Sequence, residues 1–123
     1  MDEEFQNWIR QAEADLRKAK ILMNSLELDG AGFYSQQTAE KALKAVIIKY
    51  QKKLVKIHDL VILGRMAKLP KAMLEKVEVL SKVYIESRYG LLDDKIPAEK
   101  FDKNDASKFI KIAEEVLKWA KKI

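Results

Sequence analysis

"FYSQQTAEKALKAVIIKY", residues 33–50, carries the reading of the fold. Phe33, Ala39, Ala42, Leu43, Val46, Ile47 and Tyr50 recur mostly at multiples of three and four residues, which gathers them on one stripe of an α-helix. The stripe predicts a helix over about residues 32–53. No strand-like alternation competes with it, here or elsewhere in the chain.

Upstream, Phe5, Trp8, Ile9, Ala12, Leu16, Ala19, Met23 and Leu26 form a second stripe over about residues 3–28, with Asp29-Gly30 expected to close that helix. The link between the two is very short, so they are expected to run antiparallel as a hairpin. Downstream, Lys52 to Lys56 reads as a connector and Asp59 to Lys68 as a short helix. Pro70 then opens a third long helix over about 70–88, with Met73, Val77, Leu80 and Tyr84 inward. Arg88 continues that series by four, at a helix end where a cation suits the negative pole of the macrodipole. Residues 90–101 contain Gly90 and Pro97 and read as a loop. Asp102, with Asp105 three positions on, is expected to cap a last helix that buries Ala106, Phe109, Ile110, Ala113, Leu117 and Ala120. The expected architecture is all-α: one domain over residues 1–123, an up-and-down four-helix bundle with an additional short helix between the second and third long helices.

A chain of 123 residues with 48% hydrophobic content can build one core without metals or crosslinks. The absence of cysteine excludes a disulfide scaffold and thiolate chemistry. Met1-Asp2-Glu3-Glu4 is acidic where a secretory leader would be basic, and no apolar run approaches the roughly 18 residues of a membrane span, so a soluble, cytoplasmic protein is expected. The net charge of +5 is unevenly spread. Residues 1–30 carry four basic and seven acidic side chains, whereas residues 40–82 carry eleven basic against four acidic. An anionic partner would therefore meet the middle of the chain, although a solvated lysine-rich surface has the same composition.

Several chemistries fail on residue supply. His58 is the only histidine, so a histidine-rich or thiolate metal site cannot be built within one chain. Neither a Glu-x-x-His pair nor a glycine-rich phosphate loop is present. No metal or cofactor is expected. Two stretches remain. Gln37, Glu40, Lys41 and Lys44 lie three or four apart on one helical face, presenting amides and ammonium groups together or supporting one another along the helix. Ser87-Arg88-Tyr89-Gly90 combines a planar cationic fork with an aromatic ring, a pairing suited to a nucleotide, although both residues also serve to end a helix.

These residues resemble a known family. A tryptophan in the first helix, "AEADLRKAKIL" (12–22), "FYSQQTAEKALKAVI" (33–47), "HDL" (58–60) and "SRY" (87–89) occur in the order and spacing of the HEPN domain. The resemblance covers nearly the whole chain. It implies a helical bundle that pairs as a homodimer, binds nucleotide or RNA, and works with a separately encoded minimal nucleotidyltransferase as a toxin–antitoxin pair. On that implication Ser87, Arg88, Tyr89, His58, Lys41, Lys44 and Gln37 are the candidate binding residues. Other branches are metal-independent ribonucleases whose motif is an arginine followed after four to six residues by a histidine. Arg88 fills the arginine position, but Asp93, Asp94 and Lys95 occupy the three histidine positions. An aspartate is a poor proton shuttle near neutral pH, so catalysis is not expected unless His58, from another segment, joins Arg88. A purely protein-binding module is the remaining alternative.

Overall fold

The computed structural model describes residues 3–89 and 95–123, apart from the side chains of residues 87–89. Five α-helices make up its framework: α1 (Glu3–Asn24), α2 (Leu28–Gln51), α3 (Leu60–Met66), α4 (Lys71–Tyr89) and α5 (Lys103–Lys121), with a 3₁₀ turn at Pro97–Glu99 before the last. No strand occurs among the described residues. The four long helices and the short α3 match the expected bundle, and none is long and apolar enough to cross a membrane.

The first boundary differs from the sequence reading. α1 ends at Asn24 and α2 begins at Leu28, so Asp29, Gly30 and Gly32 lie inside α2. The turn is closed instead by Leu26, whose φ of 62° is left-handed. Glu27 N–H donates to Leu22 O (2.8 Å) and Leu26 N–H to Met23 O (3.0 Å), the paired bonds that satisfy the last carbonyls of a helix. Lys68 ends α3 in the same way, with a φ of 62° and Leu69 N–H donating to Gly64 O at 2.8 Å.

Contacts along the hairpin fix its direction. Gly30 faces Leu22, Lys41 meets Asp15, and Lys49 lies over the Phe5 ring. Partners recede together along both helices, as antiparallel neighbours must. Lys49 also donates to Ile123 O at 3.1 Å, drawing the end of the chain onto the same layer.

α2 is the central element and packs against α1, α3, α4 and α5. That position explains its composition. A helix covered on several sides cannot keep one polar face, and its buried residues include Ala31, Gly32, Ser35, Thr38, Ala39, Ala42 and Ala45, whose small size admits neighbours closely. Leu43, Val46 and Ile47 form the centre of the core with Leu60, Leu63, Val77, Leu80 and Val116, while Phe5 and Ile9 close one side. Ser35 and Thr38 return their hydroxyls to Ala31 O and Tyr34 O (both 2.8 Å), so their burial leaves no unmet donor.

At the far end, Asp102 and Asp105 form the expected reciprocal cap of α5. Asp105 N–H donates to Asp102 (2.7 Å) and Asp102 N–H to Asp105 (3.0 Å).

Candidate functional site

The polar face read along α2 turns inward. Glu40 and Lys44 are buried, with only 6% and 7% of their side chains exposed. Lys44 Nζ donates to Glu40 Oε2 at 2.9 Å, and Gln36 Nε2, itself fully buried, donates to Glu40 Oε1 at 3.0 Å. A third donor comes from outside the helix: His58 Nδ1 lies 2.9 Å from Glu40 Oε2. Gln37 completes the chain by donating to Gln36 Oε1 at 2.8 Å. No buried side-chain polar atom among the described residues is left without a partner.

This arrangement sets the charge of Glu40. Burial alone would push its carboxyl upward, but the hydrogen bonds from Gln36, Lys44 and His58, together with the Lys44 charge, outweigh it and hold the carboxyl below its usual 4.5. Glu40 is thus a carboxylate and can only accept. Its partner atom, His58 Nδ1, carries the proton, and Nε2 is left as the outward ring nitrogen. The sign of the linkage follows: a depressed carboxyl stabilises the fold fully above the unfolded value of 4.5, and that contribution is lost as pH falls through the lower folded value. The stability gap between the natural chain and Glu40→Gln is therefore expected to narrow as pH drops below 4.5. Urea unfolding of both proteins from neutral to acid pH checks it; a gap independent of pH would contradict it.

Local structure places the imidazole. His58 precedes Asp59, which caps α3 by accepting from Val61 N–H (2.9 Å) and Ile62 N–H (3.1 Å). Leu60 N–H donates to Ser81 Oγ on α4 at 2.8 Å, tying the start of α3 to the neighbouring helix. The His58 ring then stacks on Tyr84 (centroids 5.7 Å, 17° between planes), and Tyr84 stacks on Phe33 (6.2 Å, 24°). With 57% of its side chain exposed, His58 forms part of a groove between α3 and α4. The groove has a volume of about 550 Å³ and is walled by Val61, Tyr84 and Ile85, with Arg65 and Lys82 among its charged residues.

The other sequence candidates separate. Lys41 is spent on a buried carboxylate, Asp15 of α1, which also accepts from Gln11 Nε2 at 3.0 Å. Lys41 and Lys44 are therefore engaged inside the bundle, and Gln37 supports Gln36; none of the three is presented toward the α3–α4 groove. Ser87, Arg88 and Tyr89 belong to the last turn of α4, and Arg88 falls four residues beyond Tyr84, but their side chains lie outside the described residues, as do Asp93 and Asp94.

Sequence reading missed the inward role of Asp15 and the Glu40–His58 pair. A signal for Asp15 was present, since it sits between Ala12 and Ala19 on the buried stripe of α1. No local pattern joins Glu40 to His58, which are 18 residues apart and meet only because the connector after α2 folds back.

Four long helices with a short one between the second and third define an all-α bundle. The HEPN domain family matches residues 5–123, and the chain belongs to that family. Among its relatives is the curated "Putative toxin MJ1304" of Methanocaldococcus jannaschii, 30% identical over 93% of this chain and 84% of that protein. Two crystal structures share the fold throughout. TT1696 from Thermus thermophilus superposes with a TM-score of 0.89 at 26% identity, covering 99% of this chain and 98% of that one. ST0689, an archaeal HEPN homologue, gives 0.80 at 31% identity, covering 97% and 96%.

Proposed function

We propose that this chain is the HEPN member of a toxin-type pair, a cytoplasmic homodimer that binds nucleotide or RNA beside His58 and the last turn of α4. A separately encoded minimal nucleotidyltransferase is its partner. The carrying observation is the Glu40–His58 pair: a buried carboxylate holds one imidazole in a fixed tautomer at the mouth of the α3–α4 groove. Tyr84 adds an aromatic wall, and Ser87, Arg88 and Tyr89 follow within the next helical turn and a half. The likeness to the "Putative toxin MJ1304" supports the toxin-type reading.

Calorimetry with ATP, other nucleotides and short RNA tests the binding, with Arg88→Ala and His58→Ala each expected to weaken it about tenfold or more. Unchanged affinity in both variants would move the site elsewhere. Light scattering reads the dimer, and copurification of the nucleotidyltransferase reads the partner.

The same pair favours a second reading, metal-independent RNA cleavage with His58 as the proton-transfer group in place of a histidine at residues 93–95. A carboxylate-oriented imidazole is what general acid–base chemistry uses. RNA left intact by fresh protein without added metal would remove this reading.

A further inference from the structure

Arg65 and Lys82 take no part in the network around Glu40. Both are exposed, both line the groove beside His58, and neither has an ion-pair partner among the described residues, although Asp59 and Glu78 share the same walls. Elsewhere several lysines are taken: Lys41 by Asp15, Lys44 by Glu40, Lys76 by Glu115 and Lys121 by Glu13. An unpaired guanidinium and ammonium that converge with an imidazole on one hollow form an anion site whose donors come from the connector, α3 and α4.

We propose that the α3–α4 groove takes a nucleoside 5′-phosphate, with its phosphate held by Arg65 and Lys82. This inference rests on the nucleotide-binding reading above and assigns residues and a ligand class within it. The groove's volume of about 550 Å³ falls inside the roughly 300–1,000 Å³ of small-molecule sites. That space accommodates one base, sugar and phosphate. Each part of such a ligand has a counterpart. The planar fork of Arg65 matches phosphate oxygens; Val61, Tyr84 and Ile85 supply an apolar wall for a ring; Glu78 supplies an acceptor for sugar hydroxyls or a base amino group. Inorganic phosphate would leave the apolar wall of Val61, Tyr84 and Ile85 idle.

The ligand is either a free mononucleotide or the phosphorylated end of an RNA. Titration calorimetry with AMP, inorganic phosphate, and a short oligoribonucleotide bearing either a 5′-phosphate or a 5′-hydroxyl distinguishes them. AMP binding marks the free nucleotide, whereas binding of the 5′-phosphorylated strand alone marks an RNA end. Arg65→Ala is expected to weaken binding at least about tenfold, with Arg65→Lys recovering only part of it, because the bidentate contact is lost. Lys82→Ala should weaken it several-fold, and Lys108→Ala on α5 should leave it unchanged. All three positions are exposed, so matching circular dichroism melts confirm folded variants. If the natural chain binds and Arg65→Ala binds equally well, the phosphate lies elsewhere and this assignment falls while the broader function stands. Equal affinity for the 5′-hydroxyl strand with no response to AMP would overturn the ligand class. No binding of any nucleotide or RNA would remove both proposals together.

Discussion

Glu40→Ala is expected to destabilise the fold by about 3–5 kcal/mol, the range seen when one partner of a buried ion pair is removed. The reason is what remains. Lys44, 7% exposed, would hold an ammonium with no counter-charge, Gln36 would lose an acceptor at zero exposure, and His58 would lose the group that orients it. Burial makes the losses at Lys44 and Gln36 desolvation penalties and not merely lost contacts. Lys44→Met should cost less. There Glu40 keeps Gln36 and His58 as donors, and the methionine fills the volume of the lysine stem. Urea denaturation of the three proteins measures the order. A loss below about 1 kcal/mol for Glu40→Ala would mean that water reaches the carboxylate and that the network is not sealed.

The same network shows why the fold was legible and the site only partly so. Helix periods are local, and the stripes led by Phe5, Phe33, Met73 and Ala106 each lie within one segment, so four long helices and the short α3 could be read directly. The Asp102–Asp105 cap is equally local. Burial of a polar residue is not. Gln37, Glu40, Lys41 and Lys44 have the spacing of an exposed face, and only the packing of α1, α3, α4 and α5 around α2 turns two of them into the interior. His58 reaches Glu40 only through an 18-residue closure, and Arg65 and Lys82 line one groove from two helices that sequence spacing cannot align. Tertiary approach decides such positions, and it leaves no period in the chain.

Glycine at position 32 is where that approach is tightest, and Gly32→Val is expected to cost about 3 kcal/mol, at the upper end for overpacking a core. Sequence reading placed Asp29-Gly30 at a helix end, where glycine supplies a left-handed residue, yet both glycines are helical and neither has a positive φ. Their role is distance. A Cβ on Gly32 would stand 2.8 Å from Val83 Cγ1 and 3.3 Å from Phe109 Cδ2, and both neighbours are buried, at 3% and 5% exposure. Val83 is β-branched and stiff at its first torsion, so it cannot rotate away, and α2 would have to retreat from α4 and α5 together. Gly30 differs in kind. A Cβ there would meet only the Leu22 side chain, at 3.0 Å from Cδ1, and Leu22 is partly exposed and free to turn. Gly30→Ala should therefore retain most of the gain of about 1 kcal/mol that alanine offers inside a helix. Thermal melts of the two variants separate the explanations: opposite signs identify Gly32 as the spacer that lets α2 serve as the centre of the bundle. Equal losses would instead mean that the approach of Gly30 to Leu22 of α1 is as tight as that of Gly32 to α4 and α5.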